Sequence, residues 1–584
     1  MARVMGPKSA KAPTPPVDDA RTQRLERRLL ALAAALVLGC AFLLAAFPTV
    51  SDDVFMHLAV GRRFFETGHF PDTDPWLFSI PDYPRKWIDV AYWGTHLTVA
   101  KLHALGGFEL LVAAKTLLVL AGACAPLWLA ARLKLRSFVV PATLLLALWA
   151  ASDRFIERGS LISDCVGPWV LALSAAELAR PSRLRWLLPV LVLAWTNFHP
   201  GVLIGLGFVG AAAVSAPRAW KRWLPVLGAC LVASVVHPDG ARHLLWAVET
   251  ATRGSSGAFR ANNLEMMPTL SEMHRNERET RLFLGLLACT WIVVLRAFVL
   301  RARPWHALIV TLALTGIGLS AVRNVSTASM ALPVVIAAAL AAARAANPTP
   351  RAASPWALRA TAALVLVAAS LDVAVASTGY RAASGERHFG FGLDRSAYPF
   401  AAADFVRSTP RGGGIFNEHH WGVFLAWYWD GNPKVYFHGY VLDEDFYGEQ
   451  YVAVNRSAKD FDRIVSAHDL GAFMLRRIAV NPNQGPLLHR LLLTRPDWHL
   501  VFWDEESMVF LRDRPENAAA IAANEFKWLD PFRTDRLTRG LKEDPQGVLA
   551  ECRRQLRVAP NDPYARNVVE KLFKLDPAAV RDGR

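Results

Sequence analysis

Apolar residues along this chain gather into runs of roughly 15–22 positions, each long enough or nearly so to cross a lipid bilayer, and short polar stretches separate them. The pattern predicts helical spans near 28–48, 109–131, 137–151, 161–178, 187–198, 201–216, 223–237, 281–300, 305–322, 325–343 and 357–376. The stretch 187–216 reads as one long helix or as two short ones. The turn signal Asn197-Phe198-His199-Pro200-Gly201 favours two helices meeting there. Between 49 and 108 the pattern turns amphipathic over 54–67 and 88–105, and aromatic residues crowd in: Phe55, Phe64, Phe65, Trp76, Phe78, Trp87, Tyr92 and Trp93. Helices lying along a membrane surface have this make-up. From about Ser377 short strand-like runs appear at 414–416, 423–429, 434–437 and 472–475, with a hairpin at 499–503 and 508–511. Helical patterns near 400–407, 458–467 and 487–493 alternate with them, which predicts an α/β domain over 377–513. Residues 514–584 read as a charged helical tail whose Ala559-Pro560-Asn561-Asp562-Pro563-Tyr564-Ala565 resembles the boundary of a tetratricopeptide repeat; one partial repeat makes no solenoid, so a helical cap or a docking surface is expected.

Composition agrees with a membrane protein: 584 residues, 53% hydrophobic, 20% charged, mean hydropathy +0.22. The net charge of +15 would point to nucleic acid were it not for where the cations fall. They cluster at Arg21, Arg24, Arg27 and Arg28; Arg132, Lys134 and Arg136; Arg180, Arg183 and Arg185; Arg218, Lys221 and Arg222; Arg296, Arg301 and Arg303; and Arg344, Arg351 and Arg359. The clusters recur every second apolar segment, as expected if all are cytoplasmic. The charge is therefore topological, and no nucleic-acid partner is expected. A cytoplasmic N-terminus and eleven spans (residues 28–376) put the C-terminal third outside. Residues 1–27, rich in Pro, Ala and Lys at their start, read as a disordered cytoplasmic tail. The first span lacks a cleavage site followed by a soluble protein and reads as a retained anchor. Five cysteines lie in apolar spans and Cys552 stands alone; none has disulfide or zinc spacing.

The turns on the outer side carry the chemistry. Asp52 and Asp53 stand directly after the first span, followed by His57, and ionisable groups at the mouth of a hydrophobic helix are costly enough to call for a purpose. Later turns present Asp153, Arg154, Glu157 and Arg158; Asn197 and His199; His237, Asp239 and Gly240; Glu265; and Arg323 with Asn324. Several flanking spans are too short to cross fully, so their turns should sit below the outer surface, where polar groups persist only around a shared, hydrated cleft. The amphipathic loop would roof that cleft and guide a lipid substrate into it.

The acidic pair after the first span, the loop Gly68-His69-Phe70-Pro71-Asp72-Thr73-Asp74-Pro75 and the many short spans resemble integral-membrane glycosyltransferases of the C superfamily (GT-C), in particular bacterial relatives of protein O-mannosyltransferases and lipid A aminoarabinose transferases. The resemblance extends over about 28–513 to bacterial membrane proteins of unassigned activity, through a Trp-x-Asn-x-His turn (Trp195, Asn197, His199), a turn in the place of Asn-Pro-Tyr-Gly (His237-Pro238-Asp239-Gly240) and an arginine on a late outer turn (Arg323). In the outer domain Asn417, Trp421, Gly422, Leu425 and Trp427 match an Asn-x-x-x-Trp-Gly-Gly-Tyr-Leu-x-Trp element. The Lys-Val-Phe-x-Asp-Gly-Arg element that follows is altered here to Lys434-Val435-Tyr436-Phe437-His438-Gly439-Tyr440, which puts any role of its Asp and Arg in doubt. The resemblance implies a multi-pass protein of the bacterial inner membrane with a periplasmic C-terminal domain, a polyprenyl-phosphate-linked sugar as donor, and an acid of the first outer loop as base or metal ligand.

Sugar transfer from a lipid phosphate needs a base for the acceptor hydroxyl and cations for the leaving phosphate. Asp52 or Asp53 could be that base, or could hold a divalent cation such as Mg2+ or Mn2+ through oxygen ligands. His57 would share a helical face with Asp53. Arg158 and Arg323 suit phosphate oxygens, His199 and Glu265 could complete a metal site or orient the acceptor, and Asn197 is a further candidate for substrate or phosphate binding. Each also has a structural reading: the acids as a helix cap, Arg323 as a snorkelling cation, Arg158 as a partner of a nearby carboxylate. The aromatic run His419, His420, Trp421, Trp427, Tyr428 and Trp429 reads as sugar-stacking surface or as core. Sugar transfer to an extracytoplasmic lipid, glycan or protein is the leading expectation; a non-catalytic envelope assembly scaffold and a lipid-linked saccharide transporter are the alternatives.

Overall fold

The structure is a computed structural model that describes residues 17–253, 264–348, 354–378, 387–477 and 485–575. All eleven apolar segments are helical: α1 (Val17–Ala45), α4 (Trp93–Arg132), α5 (Val139–Ala151), α6 (Ser160–Ala179), α7 (Leu187–Thr196), α8 (Val202–Ser215), α9 (Trp220–Val235), α11 (Arg278–Val299), α12 (Trp305–Ser320), α13 (Val325–Ala346) and α14 (Pro355–Ser377). Six of them are individually long and apolar enough to span, and α8 with α9 would add a seventh as a broken pair bent by 97°. The shorter helices reach only about 15–24 Å at 1.5 Å per residue, against a hydrocarbon core of about 30 Å. Large apolar side chains stand bare on the bundle's outside, Val299 at 81% and Val214 at 71% exposure, as lipid-facing positions do.

The turns between the helices gather at two ends. At one end the basic turns meet: Arg344 donates to the Lys134 carbonyl, Arg180 to that of Arg132, and Asn347 to that of Leu300. At the other end gather the turns with acids, histidines and arginines. Residues 1–16 lie outside the described residues, whereas 17–27, expected to be disordered, belong to α1. The Arg-, Leu- and Glu-rich stretch 21–30 is made of strong helix formers and extends the helix out of the bilayer.

The amphipathic loop forms α2 (Asp53–Thr67), α3 (Lys86–Ala91) and the first half of α4. The chain breaks at Gly106 and Gly107, the latter at φ 64°, and this turns the surface helix into a span. Gly61 lets α2 lie on α4, since a β-carbon there would stand 2.4 Å from the His96 carbonyl oxygen.

The C-terminal region holds one four-stranded sheet in the order β1-β2-β4-β3: β1 (Gly414–Asn417) is parallel to β2 (Leu470–Arg476), and β4 (Ser507–Arg512) pairs antiparallel with both β2 and β3 (Trp498–Trp503). The helices expected near 400–407, 458–467 and 487–493 are present as Phe400–Ser408, Ala458–Ala467 and Leu487–Thr494. Two expected strands are not in the sheet. Residues 423–429 form a helix, Gly422–Trp429, because a run buried on all sides carries no period that separates helix from strand. Residues 434–437 are extended but pair with the outer loop through an isolated bridge between Leu77 and Val435. Helices of the tail, Pro545–Val558 and Pro563–Leu575 among them, share one hydrophobic core with the sheet and with Val54, Phe55 and Leu58 of α2. The tail is thus a cap on that core, and the outer domain is welded to the surface helices.

Candidate functional site

The site is assembled where α1 ends and α2 begins. Asp52 is the N-cap residue of α2, yet its side chain makes no capping hydrogen bond, so the carboxylate is not spent on the helix end. Burial, and then the charge of Asp53, pushes its carboxyl up to about 7 against the pull of Arg476 and Arg158. Asp53 bonds Arg158 Nε at 2.6 Å. Arg158 reaches from the turn between α5 and α6 and also bonds Glu265 at 2.9 Å; Arg154 from the same turn bonds Glu265 at 2.7 Å. Burial favours the neutral Glu265 carboxyl, but Arg154 and Arg158 outweigh it and hold it down at about 2.

Arg323, on the turn between α12 and α13, lies 3.1 Å from Met266 Sδ and makes no ion pair among the described residues. Its charge acts on Tyr92 and His199, which places it in the same cleft. His199 is neutral: burial, with Arg323 and Arg158 nearby, lowers it to about 3. Its Nδ1 accepts from the Gly201 N–H at 3.0 Å and stands 2.7 Å from Ser163 Oγ, which itself accepts from Trp195 Nε1. These contacts leave the proton on Nε2 and fix the ring.

The predicted residues divide. Asp53, Arg158 and Glu265 are joined by ion pairs, Asp52 feels the charge of Arg158, and the charges of Arg323 and Arg158 act on His199. Asn197 is spent as a strut: its oxygen accepts from Trp93 Nε1, and its nitrogen donates to the carbonyls of Leu193 and Val236. His57 turns beneath α2, where its Nδ1 meets His96 Nδ1 at 3.0 Å, and burial lowers it to about 4. Among the described residues no group of three or more His, Cys, Asp or Glu side chains could hold a metal. Of the two acids expected to hold a cation, Asp53 is engaged by the Arg158 guanidinium.

Three residues of this region were named from the sequence without being assigned a site role. Arg154 stands four residues before Arg158 on one turn, a signal open to notice. Tyr92 packs its ring 5.8 Å from His199. Tyr440 sits 6.5 Å from His57 and in the field of Asp53 and Arg158, and burial holds its hydroxyl protonated. No local signal marks Tyr440. The residue before its glycine, His438, bonds Asp74, which bonds Arg85, which bonds Asp89, all fully buried. This chain of charges locks the altered Lys-Val-Tyr-Phe-His-Gly-Tyr element onto the outer loop. The aromatic run is divided too: Trp421 and Trp429 are core, and Trp427 packs on Phe55 and His103.

The fold is that of a polytopic helical membrane protein whose C-terminal α/β region packs against the helices beside a cluster of acids and arginines at one end of the bundle. No family model and no curated protein matches the chain. It is similar to a crystal structure of ArnT from Cupriavidus metallidurans bound to undecaprenyl phosphate, over 83% of this chain and 98% of that one, at 15% identity and a TM-score of 0.45.

Proposed function

We propose that the protein is a membrane glycosyltransferase that moves a sugar from a polyprenyl-phosphate-linked donor to an acceptor outside the cytoplasm. The observation that supports the reading is a cluster of acids and guanidinium groups: Asp52, its side chain unspent on the helix end, feels the charges of Arg476 and Arg158, and Arg158 and Arg154 pair with Asp53 and Glu265. The acceptor hydroxyl attacks the anomeric carbon, the bond from that carbon to the phosphate oxygen breaks, and Asp52 takes the hydroxyl proton. Its carboxyl near 7 suits this work, since a base is most effective when its pKa lies near the operating pH. Arg323, which pairs with no carboxylate among the described residues, receives the leaving phosphate, and Arg158 joins it by yielding one of its two acidic partners. Tyr92 and Tyr440, both protonated, are hydrogen-bond donors toward sugar or phosphate. The aromatic helices α2 to α4 are the entry face for the polyprenyl chain.

The test is native mass spectrometry or cryo-EM of the full-length protein purified from membranes. A co-purifying polyprenyl phosphate in contact with Arg323 is expected. Failure to turn over any of a panel of polyprenyl-phospho-sugars, with the lipid seated elsewhere, would overturn the reading.

A further inference from the structure

At the opposite end of the bundle a cavity of about 710 Å3 opens where α6, α8, α12 and α13 meet. Each of these helices has its other end at the acidic cleft, so the cavity lies about one helix length away, roughly 33 Å for the 22 residues of α13. Its walls are short side chains, Ala175, Ala338, Ala341 and Ala342 among them, and its rim carries Arg180, Arg303 and Arg344. The volume falls within the roughly 300–1,000 Å3 of small-molecule sites.

The arginines at this end are sorted. Arg185 and Arg222 are drawn to the buried carboxylate of Glu177, at 3.2 and 3.8 Å. None of the three rim arginines has an ion pair among the described residues; Arg180 and Arg344 reach only backbone carbonyls. Three of the cations without an ion pair among the described residues therefore border a single alanine-walled opening. A second observation sets the depth. Trp186, Trp220, Trp305 and Trp356 all stand at helix starts on this end and are all exposed, from 46% to 68%. Such a belt marks the level of lipid headgroups, and Trp305 itself lines the cavity.

We propose that this crevice binds an anionic glycerophospholipid, its phosphodiester among Arg180, Arg303 and Arg344 and one acyl chain along the alanine wall. An apolar cavity at headgroup depth selects an amphiphile over a soluble anion, and three uncompensated guanidinium groups select net negative charge over a zwitterion.

The experiment is native mass spectrometry of the full-length protein in detergent, titrated separately with phosphatidylglycerol, phosphatidylcholine and inorganic phosphate. The wild type should retain one phosphatidylglycerol under activation that strips phosphatidylcholine, and millimolar phosphate should not displace it. Arg303→Gln and Arg344→Gln should each weaken retention about fivefold, and Ala341→Trp, which fills the cavity, should abolish it. If Ala341→Trp does not fold, the two surface arginine variants carry the test. Equal retention of phosphatidylcholine, displacement by phosphate, or adducts unchanged in the arginine variants would overturn the proposal. None of these residues lies in the acidic cleft, so the outcome is independent of the transferase reading.

Discussion

Replacing Asp52 by Asn tests the base directly. The substitution should leave the fold intact: Asn is as good an N-cap residue as Asp, the native side chain makes no capping bond, and removing its charge relieves repulsion from Asp53. Loss of a positioned general base costs about 10²–10⁴ in rate, or about 2.7–5.5 kcal/mol of transition-state stabilisation. Donor affinity should change little, because Arg154 and Arg158 are held by Asp53 and Glu265. The pH dependence adds a second signature. With its carboxyl near 7, Asp52 is the active base only above that value, so wild-type turnover should rise with pH and level off past 7. At pH 5 only about 1% of such a carboxyl is ionised, whereas an ordinary aspartate, near 3.9, is more than about 90% ionised. The assay is single-turnover release of polyprenyl phosphate from radiolabelled polyprenyl-phospho-sugars, from pH 4.5 to 9, with donor binding measured in parallel. An inflection near 4, or an Asp52→Asn rate within tenfold of wild type, would refute the assignment.

Further outcomes are expected. Arg323→Gln should weaken polyprenyl-phosphate binding about 10- to 100-fold, the worth of a charge-assisted hydrogen bond, with an unchanged melting temperature because Arg323 pairs with no carboxylate among the described residues; unchanged binding by isothermal titration would count against it. Lys115 and Glu157 form a buried pair at 2.9 Å, 2% and 3% exposed, so Lys115→Met should destabilise the detergent-solubilised protein by about 3–5 kcal/mol, and adding Glu157→Gln should recover most of that; a double variant no more stable than the single one would refute the pairing. Arg85→Met should cost a similar amount and expose the outer domain to limited proteolysis. In the intact protein, burial favours a neutral Asp74, but His438 and Arg85 outweigh it and hold its carboxyl well below the usual range, so its contribution is complete above about 3.9 and is lost as pH falls below that, which acid unfolding followed by tryptophan fluorescence would register. A periplasm-active reporter fused after Ser377 should be active, and silence would invert the topology.

Hydrophobic patterning alone determined the eleven helical segments, the surface-helix loop, the position of the outer α/β domain and which turns carry charge. These follow from local rules: apolar length for spans and amphipathic period for surface helices. Asp52, Asp53, Arg158 and Arg323 were legible as candidates because charge beside an apolar run is conspicuous. Tertiary structure decided what each side chain does there. Asn197 and Arg323 looked alike as polar residues on outer turns, yet one is held by three neighbours and the other has no ion pair among the described residues. His57 shares its helix with Asp53 but faces His96, and Tyr440 enters the cleft from the far end of the chain. The run 422–429 became a helix because burial on every side erases the period that would declare it. Pairing, burial and convergence depend on partners distant in sequence, and a linear pattern records which groups exist without recording which of them meet.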